Sequence, residues 1–144
     1  MAGGHGSLVY QCQQAFKAVF KEKGGVDPVS ATDPAGTPAT RYICSVQALR
    51  DYLIAANEFV KWCREQNDGL RVLTDLNIEK QGTIYVRACL DAGQEPATVR
   101  RLLSALYWLG EGIRRCWGVD VGRVDREGFR GCLGESRRRS AARR

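Results

Sequence analysis

Apolar residues recur at helical spacing in four stretches of this chain. In the first, Val9, Cys12, Phe16, Val19 and Phe20 make one stripe. This predicts a helix from Leu8 to Lys23, with Ser7 as its N-cap and Lys21 and Lys23 at the negative end of the helix dipole. Gly24-Gly25 stops it. Residues 24–40 hold three of the four prolines among Gly, Ala, Ser, Thr and Asp, which predicts a long loop. Ser45 is placed to cap a second helix running to Gln66. Leu49, Tyr52, Leu53, Ala56, Phe59, Val60 and Cys63 form its inner stripe, and Arg50, Asp51, Asn57, Glu58, Lys61, Arg64 and Glu65 fill the other side. A short extended piece, Leu70 to Leu73, leads to Thr74-Asp75 as the N-cap of a third helix over Leu76–Asp91. Ile78, Tyr85, Val86 and Cys89 are expected to face inward there. Gly82 inside it costs up to ~1 kcal/mol against Ala. Pro96 opens a fourth helix reaching Trp117. Its buried face is expected to be Val99, Leu102, Leu103, Leu106, Leu109, Gly110 and Ile113, while Arg101, Trp108 and Arg115 share another. A last short helix is expected over Val124–Leu133, and disorder beyond Gly134.

The pattern predicts an all-α protein, a compact bundle of four to five helices, because no strand alternation competes with it. At 144 residues, 44% of them hydrophobic, the chain fits one domain with loose ends. The expected organisation is a helix and loop over 1–40, a helical domain over 41–118, and a short helix with a basic tail over 119–144.

Charge alters the picture once it is divided along the chain. Residues 1–111 carry 12 Lys and Arg against 12 Asp and Glu, whereas residues 112–144 carry 10 Arg against 4 acids. The whole excess of +6 therefore sits at the C-terminal end. The tail Ser136–Arg144, with Arg137, Arg138 and Arg139, suits nucleic acid, an acidic partner, or plain solvation.

The six cysteines, at positions 12, 44, 63, 89, 116 and 132, include no CxxC, and the one histidine is His5. Zinc sites need clustered thiolate or imidazole ligands, so no metal site is expected. An even count allows three disulfides. With no secretory n-region and h-region at the N-terminus, reduced core thiols in a cytoplasmic protein are the expected state. The apolar runs are far shorter than the ~20 residues of a membrane span.

Phosphate-binding, nucleophile-elbow and zinc-protease motifs are absent, and a lone terminal histidine leaves no Ser-His-Asp or Cys-His pair. Asp51 and Glu58 form an i, i+7 pair among Arg50, Lys61 and Arg64, the pattern of a salt-bridged surface. No catalysis by this chain alone, and no cofactor, is expected. A binding surface has more support. Thr98, Arg100 and Arg101 lie at the start of the fourth helix, where backbone N–H groups attract anions. Ser45, Gln47 and Arg50 offer the same combination at the start of the second. Two such starts on one side of a bundle would grip a duplex backbone; ordinary capping and solvated arginines would look the same in sequence. Trp108, between Arg101 and Arg115, is the tryptophan best placed to stack on a base or a partner, and core or interface packing is the favoured reading of it.

Arg41–Gly118 resembles the N-terminal core-binding domain of tyrosine recombinases, the phage integrase family, a SAM-like helical domain. The resemblance rests on Arg41-Tyr-Ile-Cys-Ser45 leading into a helix with Tyr52 and Glu58-Phe-Val-Lys-Trp-Cys63. It rests also on the turn Leu73-Thr-Asp-Leu76, and on the run Ala92-Gly-Gln-Glu-Pro-Ala-Thr-Val-Arg-Arg-Leu-Leu-Ser-Ala-Leu106. It implies half of a clamp around double-stranded DNA, with Ser45 and Arg50 on the second helix and Thr98, Arg100, Arg101 and Ser104 on the fourth facing phosphates. Pro96-Ala97 departs from the family's small polar residue. The family's catalytic domain, with its Arg, His-x-x-Arg and Tyr constellation, has no counterpart here. The expected partner is therefore duplex DNA, with a recombinase catalytic domain or a second copy as further candidates and no membrane. The alternative function is a helical protein-interaction or dimerisation module using Tyr107 and Trp108. A third possibility is a defective fragment without activity of its own.

Overall fold

A computed structural model describes residues 7–21, 42–66, 69–129, 131 and 133. Four α-helices form a bundle: α1 (Leu8–Ala18), α2 (Val46–Gln66), α3 (Thr83–Asp91) and α4 (Pro96–Trp117). No β-strand occurs among the described residues. The all-α bundle expected from the periodicity is the architecture found.

Ser7 caps α1 by accepting from the Tyr10 N–H at 3.1 Å. The helix ends at Ala18, one turn short of Lys23, because the backbone finds partners across the chain. The Ile43 N–H donates to the Val19 carbonyl at 2.7 Å, and the Lys21 N–H to the Ile43 carbonyl at 3.0 Å. Phe20 and Ile43 thereby pair in a parallel bridge. The buried stripe also differs from expectation. Leu8, Cys12, Ala15 and Phe16 point inward, while Val9 is 53% exposed. Gln11 lies with the inner set. Its side chain donates to the Arg71 carbonyl and accepts from the Leu73 N–H, both at 2.9 Å, so a buried amide ties α1 to the turn before α3 with its polar atoms satisfied.

Ser45 caps α2 as expected, accepting from the Ala48 N–H at 3.2 Å. Ahead of α3 the boundary shifts. Thr74 and Asp75 belong to a 3-10 turn, Leu73–Asp75, and the helical stretch begins after Asn77. Asn77 accepts from the Lys80 N–H at 3.1 Å, and the Gln81 side chain accepts from the Asn77 N–H at 2.7 Å. This reciprocal cap satisfies two otherwise orphaned donors. The stretch opens as a π-helical turn, Ile78–Gly82, before becoming α3. Gly82 is closely approached: a Cβ there would lie 2.6 Å from a Val124 methyl.

Helix α4 has the predicted limits, and Gly118 ends it in the left-handed conformation, φ 71°. Val99, Leu102, Leu103, Leu106, Leu109 and Ile113 are buried, and α4 packs against all three other helices. It meets α1 at Gly112, where a Cβ would lie 2.3 Å from the Ala15 carbonyl oxygen. The helix expected over Val124–Leu133 shrinks to a 3-10 turn, Arg126–Phe129. Gly122 at φ 82°, with Gly128 and Gly131 beyond it, disfavours a longer helix. Phe129 and Leu133 still bury fully and complete a single core that extends from Leu8 to Leu133.

Candidate nucleic-acid interface

Where α2 passes α4, their side chains leave a cavity of about 360 Å³, edged by the 3-10 turn. Ala48, Asp51 and Tyr52 line it from α2, at i, i+3 and i+4 spacing on one face. Arg100, Arg101 and Ser104 line it from α4. They border the core residues Val99, Leu102 and Leu103, so burial of those neighbours places them at the helix margin. Arg126 comes from the 3-10 turn, which the buried Phe129 and Leu133 hold in place. Arg87 over the Phe129 ring, 5.1 Å from its centroid, and Arg100 donating to the Leu133 carbonyl at 2.8 Å fasten that segment to α3 and α4. Three guanidiniums and one carboxylate give the cavity a net charge of about +2 at neutral pH.

A second cavity, about 200 Å³, adjoins the first through Asp51 and Arg101. Glu58, Tyr85, Cys89, Gln94 and Thr98 are among its walls. Burial, reinforced by Cys89 and Glu58, pushes the Tyr85 phenol up to about 12. Burial likewise raises the Cys89 thiol, against a hydrogen bond with Tyr85 that lowers it. Both groups are therefore neutral at pH 7, and with Asp51 and Glu58 against Arg101 the balance is negative. The first cavity suits anions; the second repels them.

The structure divides the residues expected to act together. Arg100, Arg101 and Ser104 gather in the basic cavity. Thr98 lies in the acidic one instead. Ser45, Gln47 and Arg50 line neither. Ser45 is committed as a cap, Gln47 donates to Asp51 Oδ1 at 3.0 Å, and Arg50 is exposed. The expected pairing of two helix starts on one surface is not formed. As α2 ascends from Ala48 to Glu58, its neighbours on α4 descend from Ser104 to Thr98, so the helices pass antiparallel. Arg137, Arg138 and Arg139 lie outside the described residues.

Arg126 was missed in the sequence because it reads there as one more charge in a basic C-terminal stretch. Its neighbour Asp125, whose side chain accepts from the Glu127 N–H at 3.0 Å, was with the nearby glycines a local sign of a turn. Trp108 is half-buried against the core and meets Tyr107 edge to face, with centroids 5.2 Å apart. Arg115, expected beside it, is engaged elsewhere: it donates to Glu111 at 3.0 Å and stacks over the Tyr42 ring at 5.1 Å. Trp62 belongs to an aromatic cluster with Phe59 and Tyr85. Of the cysteines, Cys12, Cys63 and Cys89 are buried and Cys44 half-buried, whereas Cys116 is exposed; all five are free thiols. No group of His, Cys, Asp and Glu among the described residues is placed to hold a metal. None of the helices among them is long and apolar enough to cross a membrane.

Comparison of the chain with protein-family models, with curated proteins and with solved structures finds no match.

Proposed function

We propose that the chain binds duplex DNA through the face where α2 and α4 flank the arginine-lined cavity. The observation that carries this reading is the convergence of Arg100, Arg101 and Arg126 from two separate elements, with Ser104 and Tyr52 between them. Guanidinium forks match phosphate oxygens, and hydroxyls add positioning donors. The excess positive charge of the chain and the resemblance of Arg41–Gly118 to recombinase core-binding domains agree with it. Binding is to phosphates, weakly selective for sequence and steeply dependent on salt. No catalytic step is assigned to this chain.

Anisotropy of a labelled random duplex at several salt concentrations tests the proposal. The variant to compare is Arg101→Ala with Arg126→Ala, because Arg100 also holds the Leu133 carbonyl. Loss of two phosphate contacts should weaken binding alike across sequences. It should also flatten the slope of log K against log salt by about 2. An unchanged affinity and slope would remove this face from consideration.

A further inference from the structure

The convergence of three arginines on one small site points beyond a duplex backbone, and from it we infer that the site seats a phosphomonoester, the 5′-terminal phosphate of a DNA strand. This rests on the DNA-binding reading above. An internal phosphodiester carries one negative charge and offers two free oxygens. A terminal phosphate carries about −1.5 to −2 at pH 7 and offers three strong acceptor oxygens. The cavity's balance of about +2, from Arg100, Arg101 and Arg126 against Asp51, matches the second. Three guanidiniums also carry donors enough for three oxygens. The three guanidiniums border one shallow depression of about 360 Å³ between α2, α4 and the 3-10 turn, so a single small anion there meets them together.

Two of the walls are held in place without ligand. The bond from Arg100 Nη1 to the Leu133 carbonyl fixes one guanidinium and leaves the rest of its fork for another acceptor. Gln47 donating to Asp51 Oδ1 holds that carboxylate on its own helix. Asp51 and Arg101 both lie in the wall shared with the acidic cavity, where Glu58 adds a second carboxylate and disfavours an anion.

The test is anisotropy of one labelled duplex carrying either a 5′-phosphate or a 5′-hydroxyl on the unlabelled strand, with thymidine 5′-monophosphate and inorganic phosphate as competitors. The 5′-phosphate duplex should bind about tenfold more tightly, about 1.4 kcal/mol, the scale of one added charge-assisted hydrogen bond. That preference should vanish in Arg126→Ala and fall in Arg126→Lys, which keeps the charge but loses the fork. Circular dichroism confirms that both variants are folded. Equal, salt-sensitive binding of both duplexes would overturn the terminal-phosphate inference and leave the DNA-binding reading standing. Binding of neither would overturn both. Equal competition by thymidine monophosphate and inorganic phosphate assigns the recognition to the phosphoryl group; competition by neither, with the 5′-phosphate preference absent, overturns the inference.

Discussion

Gly112→Ala probes the seam on which the bundle depends. The substitution places a methyl carbon 2.3 Å from the Ala15 carbonyl oxygen and 2.7 Å from its carbonyl carbon. These are backbone atoms of α1, so no side-chain rotation relieves the overlap, and α1 must retreat from α4 by about 1 Å to restore ordinary contact distances. A gap of 0.5–1 Å forfeits a quarter to a half of each dispersion contact across it. Overpacking of this kind costs ~1–3 kcal/mol, and loosened contacts at Phe16, Cys12 and Ile113 add to that. Alanine recovers about 1 kcal/mol of helix propensity over glycine. The expected net loss is ~2–3 kcal/mol, which for a domain of this size lowers Tm by roughly 6–10 °C. Thermal and urea unfolding followed by circular dichroism measures it. Gly82→Ala is the control, since its nearest obstacle is a half-buried Val124 methyl that can turn aside. Its net change should be under about 1 kcal/mol. Adding Ala15→Gly should not rescue Gly112→Ala, because the closest obstacle is the carbonyl rather than the methyl. A Gly112→Ala protein as stable as wild type would refute the close α1–α4 crossing.

Glu111 accepts hydrogen bonds from both Arg114 and Arg115. The Arg114 hydrogen bond, followed by the charge of Arg115, holds its carboxyl below the ordinary value of 4.5 despite partial burial. Its contribution is therefore present above pH 4.5 and lost as pH falls through the lower native value. Glu111→Gln should lose less stability than wild type in acid unfolding over that range. Burial pushes the Cys12 and Cys63 thiols up to about 12 from 9.0, so unfolding becomes easier above pH 9, where only the unfolded thiols ionise. Site-resolved thiol labelling at pH 8 should mark Cys116 within minutes and leave Cys12 and Cys63 unreacted until the protein unfolds; rapid labelling of Cys12 would contradict its burial. Arg100→Ala should raise hydrogen exchange and proteolysis around Phe129–Leu133 by removing the bond to the Leu133 carbonyl, costing about 1–3 kcal/mol. Unchanged exchange there would show that the core contacts alone hold the segment.

What the sequence determined was the set of elements that local physics governs. Helix α4 was legible to the residue, since Pro96 suits the first helical turn but not a helix interior, and Gly118 readily closes a helix in the left-handed conformation. The start of α2 followed from Ser45, and the helical class followed from the 3.6-residue repeat of its apolar positions. Elements whose limits depend on a distant backbone were not legible. The end of α1 depends on Ile43, more than twenty residues away, and the turn before α3 depends on the buried amide of Gln11 and on the packing of Val124 against Gly82. The candidate site divides in the same way. Arg100, Arg101 and Ser104 were found because they cluster at a helix start. Arg126 was not, because only tertiary packing of Phe129 and Leu133 brings it to them. Thr98, Ser45 and Arg50 share local features with the arginine cluster but point elsewhere. Periodicity states which face of a helix is polar; only the antiparallel passage of α2 against α4 decided which polar residues meet across the cavity.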